Sequence, residues 1–552
     1  MSKYYLVGVL FIASLLRLIN LSGHPTGFTP DEASFAYDAY SISKTGADQW
    51  GKTFPLVLQS FGDGKMPLLS YLSVPSVAVF GLNEFAVRLP VALLGIGAVY
   101  FTYLLARRSF GSEKIALMAA FILAISPWHI AMTRGAFEAS LTTFFLTAGI
   151  YFYLGLEYSK KAAFLSGLLF GLNLFTYHSA RFITPLVLGF LILYKFNPKN
   201  CQNHLKNKNL LILLFVFTAL LLMAISSMFM GAGDRLATST ILDTKPPADA
   251  RFNALLAGLP PVLARLFNNR FFVLGNTFLD QYFQYFSPQF LFSQGPAEGT
   301  YGMLPGMGVL YLIELAFMFG LFLNLKVVKK VPWIIVWLLL APIPAALSRG
   351  PGYAANRAII MLPALSILLA IGWNNIYEIV SKQKKALYAK IILVIYVLSF
   401  VFFVEKYFIQ QKYSTADAML YGARDLFTYL GEIDAPYEQI IISKSLSEAH
   451  IYYAFYSRMD PVIYQNATKN WNYHEAGVDW VDQMPQYKLG KYVFTSMDYA
   501  KYSTFTNTLM AGKPEEFPSD AQVIYTVKYP DLTDAYWVVN SDTLPFAYKS
   551  LN

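Results

Sequence analysis

Apolar runs separated by short basic turns fill the first 405 residues of the chain, and then the pattern stops. Eleven runs are readable, at 5–21, 85–106, 115–132, 139–157, 162–177, 182–195, 209–229, 305–325, 332–347, 358–378 and 390–405. Most approach the roughly 20 residues that a helix needs to cross a hydrocarbon core about 30 Å thick. The first, Tyr5 to Leu21, lacks a small-residue cleavage site, so it reads as a retained span and not a signal peptide. A twelfth apolar stretch, Pro67 to Gly81, is short and carries Pro67 and Pro75, which predicts an interfacial or re-entrant helix pair. Past residue 405 the period changes. Strands are expected at Gln439–Ser443, Tyr492–Ser496, Gln522–Tyr529 and Tyr536–Asn540, with a helix at Glu448–Ser457, which makes 406–552 a soluble α/β domain.

Composition agrees with a polytopic membrane protein: 55% of the 552 residues are hydrophobic and only 14% are charged. Charge then supplies the orientation. With the N-terminus cytoplasmic, the short inside segments hold 17 basic residues, from Lys3 through Arg107, Arg108 and Lys114 to Lys382, Lys384, Lys385 and Lys390. The opposite side receives the long segments 22–84 and 230–304 and the C-terminal domain. Residues 1–405 carry net +14 and 406–552 net −5, so the basic balance reflects topology and not a nucleic-acid surface. The single cysteine, Cys201, lies in an inside loop, and no metal-ligand spacing is visible, so neither a disulfide nor a metal is expected.

Ionisable groups against a membrane are costly and usually mark a site. Five outer segments carry them: Thr29–Asp38, Gly62–Leu68, Thr133–Glu138, Tyr177–Arg181 and Ser348–Arg357. The aromatic run Gln281–Phe292 is a sixth candidate. Each has a bland reading. Thr29-Pro-Asp-Glu32 is a capping box that would start a helix whatever else it does. Lys65, Arg88, Arg134 and Arg181 could snorkel to headgroups, His178 could be a boundary residue, and the aromatic run could be an interfacial belt. What favours chemistry is that all five segments fall on one face.

The ordered segments resemble the GT-C glycosyltransferases, and within them glycosyltransferase family 39, which holds protein O-mannosyltransferases and lipid A aminoarabinose transferases. The resemblance rests on Pro30-Asp-Glu-Ala-Ser-Phe-Ala-Tyr37, on Gly64-Lys-Met-Pro-Leu-Leu69 with Asn83-Glu-Phe-Ala-Val-Arg-Leu-Pro90, on Leu105-Ala-Arg-Arg-Ser-Phe-Gly111, and on Arg134-Gly-Ala-Phe-Glu-Ala-Ser-Leu141 with the residues after it. It covers about residues 1–380. It implies a GT-C fold of about 11 transmembrane helices with interfacial helices in the first outer loop, and the plasma membrane of a prokaryote as the location. It implies a polyprenyl-phosphate sugar as donor, membrane lipid around it, and a protein or glycan hydroxyl as acceptor, with no cofactor and no nucleic acid. By position Asp31 matches the family's base, Glu138 the acidic residue of the second outer loop, and Lys65 the cation facing the donor phosphate; Met66 stands where the family has a proline.

The chemistry of such a transfer suits these residue types. A glycosyl phosphate already has a good leaving group, so cations to stabilise phosphate matter more than a general acid, and Lys65, His178, Arg181 and Arg357 are the candidates. The acceptor hydroxyl needs one base for a single inverting displacement, which assigns Asp31, with Glu32 and Glu138 orienting the acceptor or the sugar. Two other classes remain open at this point: a transporter or flippase for a lipid-linked glycan, and a non-catalytic assembly factor. No internal repeat is visible, and the mid-span charges are few, with Arg17 and Glu314 the exceptions.

Overall fold

The computed structural model describes residues 2–195, 207–232, 240–243, 249–296, 299, 301–349 and 354–541. Cys201, part of the Ser348–Arg357 segment and parts of the 230–304 loop lie outside them. Nine helices open the chain: α1 Ser2–Leu18, α2 Pro30–Thr45, α3 Leu68–Phe80, α4 Glu84–Phe110, α5 Glu113–Ile125, α6 Pro127–Met132, α7 Leu141–Tyr153, α8 Lys160–Asn173 and α9 His178–Lys195. Later helices include Lys208–Ser227, Ile313–Gly320, Pro332–Leu340, Leu362–Ile379 and Lys385–Val404. Helix overlaps every one of the eleven apolar runs. Among the described residues four segments are long and apolar enough to cross a membrane: Glu84–Phe110, Lys208–Met230, Ala355–Ile379 and Lys382–Ser414.

Local signals explain the boundaries. Asn83 caps α4 by accepting from the Ala86 amide at 2.9 Å, and Gly111, at φ 62°, ends it. The stretch 67–81 is one helix, α3, not the pair expected. At 13 residues it is about 20 Å long, too short to span a hydrocarbon core, and it buries Leu69, Ser70, Ser73, Ser76 and Val77.

The last membrane helix runs through the expected boundary at 405/406 and continues to Ser414. Beyond it stands an α/β unit with a six-stranded sheet in the order β4-β5-β3-β6-β8-β7. Its strands are β3 Gln439–Ser443, β4 Gln486–Leu489, β5 Tyr492–Thr495, β6 Thr508–Gly512, β7 Val523–Lys528 and β8 Asp534–Asn540, while β1 Leu58–Gln59 and β2 Gly64–Lys65 form a small hairpin in the first outer loop. Central β3 pairs in parallel with β5 and β6; the outer pairings are antiparallel.

The C-terminal unit is docked on the first outer loop, and the two share one hydrophobic core in which Phe28, Phe35, Tyr37 and Phe61 pack with Phe427, Tyr452, Phe455, Tyr464 and Trp471. Tyr37 donates to the Met459 carbonyl at 3.0 Å, Val481 N to Phe61 O at 2.9 Å, and Gln59 Nε2 to the Tyr473 hydroxyl at 3.0 Å. The approach is close enough to demand glycine: a Cβ on Gly62 would stand 2.2 Å from the Asp479 carbonyl oxygen, and one on Gly27 2.4 Å from that of Met419.

Candidate active site

Helix α2 begins with the capping box that its sequence encodes: Thr29 Oγ1 accepts from Glu32 N at 3.3 Å, and Glu32 Oε2 accepts from Thr29 N at 3.1 Å. This fixes the first turn and with it Asp31, whose carboxylate sits at the amide-rich helix end that suits a negative charge. Asp31 lines a cavity of about 450 Å³, mouth included, together with Phe35, Lys65, Ala136, Phe137, Glu138, Ala139, Tyr177, Tyr301 and Asn356. Three of the residues expected from sequence, Asp31, Lys65 and Glu138, therefore meet at one concave surface although they come from three separate segments.

Lys65 reaches the cavity from β2 with its charge already balanced. Its Nζ lies 2.8 Å from Asp38 Oδ2, donates to Ser34 Oγ, and sits 4.5 Å over the Phe35 ring, and both members of the pair are almost fully buried. Asp38 is held in turn by the Gln49 amide at 2.9 Å. Burial pushes the Asp38 carboxyl up, and Lys65 opposes that push. Neighbouring Asp48 is raised to about 7 by burial first and by the Asp38 charge second.

Glu32 does not face the cavity. It is fully buried and bound by Arg88 Nε at 2.8 Å, Arg88 Nη2 at 3.2 Å and the Ala136 amide at 2.8 Å, beside its own cap. The expectation that it orients substrate is corrected accordingly: it ties α2, α4 and the loop carrying Glu138 together. Arg88 also donates to the carbonyls of Leu21, Ser22, Pro25 and Gly27, and Arg134 to those of Leu16, Ile19, Asn20 and His24 at the end of α1. Neither arginine reaches for headgroups; both are wholly buried clamps on the 16–27 stretch. Arg17 and Glu314 are likewise satisfied inside the protein, Arg17 by the Ala13 and Ala124 carbonyls and His129, Glu314 by the Tyr311 amide and the Tyr396 hydroxyl.

The remaining expected cations are placed differently. His178 Nε2 bonds the Gly64 carbonyl at 3.2 Å and so braces β2 next to Lys65. Arg181 donates to Ser227 Oγ at 2.6 Å and to the Leu174 carbonyl, and Arg357 to the Arg349 carbonyl at 2.8 Å; neither lines the cavity, so a direct contact with donor phosphate there is not what the structure gives them. Of the aromatic run, Tyr285 and Phe290 are buried against each other and Trp128 rather than walling the cavity. The residues missed are Phe35, Tyr301 and Asn356. Tyr301 had no sequence signal, whereas Asn356 stood next to a chosen arginine, and its Oδ1 is buried with no hydrogen-bond partner among the described residues.

Known proteins decide what this architecture is. The family model for dolichyl-phosphate-mannose-protein mannosyltransferases matches residues 64–223. The structure superposes on ArnT from Cupriavidus metallidurans with a TM-score of 0.54 over 98% of each chain, at 12% identity. The chain has the GT-C fold. A second GT-C protein, the Archaeoglobus fulgidus oligosaccharyltransferase tethered to an acceptor peptide, aligns with a TM-score of 0.52 over 99% of this chain and 74% of that one, at 14% identity. By sequence, an uncharacterized protein of Aquifex aeolicus is 32% identical over 203 residues, which span 36% of this chain and 39% of that relative. The GT-C fold expected from Asp31-Glu32 and the segments after it is the fold observed.

Proposed function

We propose that the protein is an inverting glycosyltransferase that moves a sugar from a polyprenyl-phosphate carrier to a hydroxyl acceptor on the outer face of a prokaryotic plasma membrane. The observation that carries this reading is the convergence of Asp31, Lys65 and Glu138 on one cavity. In the reaction the acceptor oxygen bonds to the anomeric carbon as the bond from that carbon to the phosphate oxygen breaks, and the acceptor proton passes to Asp31. The polyprenyl phosphate departs as an anion, and Lys65 supplies positive charge where that anion forms. Glu138 and the amide of Asn356 are placed to accept hydrogen bonds from sugar or acceptor hydroxyls. The solved ArnT bound to undecaprenyl phosphate, 11% identical over 98% of each chain, supports a donor of this class. The basic inside loops favour a cytoplasmic N-terminus and eleven crossings.

The test is transfer in proteoliposomes, with a panel of synthetic polyprenyl-phosphate sugars and mass spectrometry of the products. Asp31→Asn is expected to reduce turnover at least about 100-fold, within the usual worth of a general base, while donor binding persists. Undiminished transfer by Asp31→Asn overturns the assignment.

A further inference from the structure

A second cluster of buried ionisable groups lies outside the cavity, where the C-terminal unit meets the first outer loop. Glu448 and His450 follow the carboxyl end of β3, the central parallel strand, and Asp482 comes from the segment ahead of β4. In α/β sheets the carboxyl ends of parallel strands are where ligands tend to bind. One ligand atom from each of the three residues falls within 4.8 Å of the others.

Three further observations bear on what fills such a cluster. Glu448 Oε2 and His450 Nε2 are buried without hydrogen-bond partners among the described residues, while His450 Nδ1 lies 2.9 Å from the Tyr487 hydroxyl and 3.9 Å from that same Glu448 oxygen. Lys444 gives its hydrogen bonds to the Asp482 and Met484 carbonyl oxygens at 2.9 and 2.7 Å, not to the carboxylates. Finally, the chain spends backbone strain there, with Glu448 at φ 55°, a region a non-glycine residue occupies at some cost. His450 is enclosed by Phe61, Trp471, Tyr487 and Phe494, which hold its ring in place beside the two carboxylates.

We propose that Glu448, His450 and Asp482 form a binding site for one divalent cation of the zinc or manganese class. Two carboxylates and an imidazole are the donor set such ions take, and the cation would offset the carboxylates gathered at the seam. Asp482 accepts from the Glu448 amide at 2.6 Å and from the Tyr487 hydroxyl, contacts that orient its carboxylate toward the other two ligands. Because Phe61 of the first outer loop packs against His450 and its carbonyl holds Val481 beside Asp482, the ion would fasten the C-terminal unit to the loop that carries Asp31. Glu448, His450 and Asp482 have no recognisable metal-ligand spacing along the chain, so a metal was not expected from sequence.

The experiment uses the full chain, purified in detergent without chelator. Metal content is measured by inductively coupled plasma mass spectrometry, then EDTA-treated protein is titrated with Zn²⁺ or Mn²⁺ alone while thermal unfolding is followed. Wild type is expected to hold about one ion per chain, and its melting temperature to rise on titration; Glu448→Gln and His450→Phe are expected to lose more than nine-tenths of the metal and the response. Glu138→Gln, in the substrate cavity, is expected to keep both. Failure of wild type to bind either ion, as purified or after titration, overturns the proposal and leaves a proton shared between Glu448 and Asp482 in its place. Equal metal in wild type and the Glu448 and His450 variants overturns it too, as does loss of metal in Glu138→Gln alone. A His450→Phe chain that does not fold leaves Glu448→Gln, a near-isosteric change, to decide. The outcome is independent of the transfer reaction.

Discussion

Removing the Glu32 carboxylate is expected to damage the fold far more than its place beside Asp31 suggests. Glu32 and Arg88 are both completely buried, 2.8 Å apart, and the carboxylate also accepts from Ala136 N and Thr29 N. Glu32→Ala leaves the Arg88 guanidinium charged, buried and without a counter-ion, a loss worth about 3–5 kcal/mol when one partner of a buried pair is deleted. The lost helix cap adds about 1 kcal/mol. Arg88→Ala should cost a similar amount. Because each single change already destroys the pair, the double variant should be little worse than either alone, giving a coupling energy of roughly 3 kcal/mol. Thermal unfolding of the four proteins in one detergent, read as a double-mutant cycle, measures this. Asp31→Asn in the same assay should melt close to wild type, since none of these bonds involves it. Additive single effects, or a Glu32→Ala protein as stable as wild type, would refute the clamp.

Lys65→Met should abolish transfer and also destabilise the chain, because Asp38 is left buried without its cation; Lys65→Met with Asp38→Asn should regain stability but not transfer, which thermal unfolding and product analysis separate. Asp48, raised to about 7, keeps a proton in the fold that the unfolded chain releases above about pH 4. Its contribution to stability is therefore full below about pH 4 and is lost as pH rises through about 7, so Asp48→Asn should flatten the fall in melting temperature across that window. Gly62→Ala places a Cβ against the Asp479 carbonyl and should loosen the seam, seen as faster proteolytic release of the C-terminal unit; unchanged release would mean that the two surfaces have room to give.

Asp31, Lys65 and Glu138 could be found from sequence because hydropathy and the basic loops place their segments on one face, and a polar residue there has few reasons to exist. The same reasoning misjudged Arg88 and Arg134. A cation at the end of an apolar run looks identical whether lipid or protein surrounds it, and only the fold brings the α1 carbonyls to Arg134. Asp38 was within a chosen segment, yet its pairing with Lys65 depends on the β1–β2 hairpin returning over α2, which no local pattern encodes. β3 was readable from its isoleucines; β6, Thr508-Leu-Met-Ala-Gly512, was not, since alanine and glycine are poor strand formers and every residue of it is buried.

The shared core sets the order in which this protein can be completed. Tyr37 bonds to a carbonyl 422 residues later in the chain, so the loop bearing Asp31 is synthesised long before the unit it packs on. Until then Phe28, Tyr37 and Phe61 lack the half of their core that Phe427, Tyr452, Phe455, Tyr464 and Trp471 supply. A chain that stopped before the α/β unit would leave this face half covered, a natural target for chaperones and proteases. Docking of the two surfaces thereby reports that translation has passed the strands of the α/β unit.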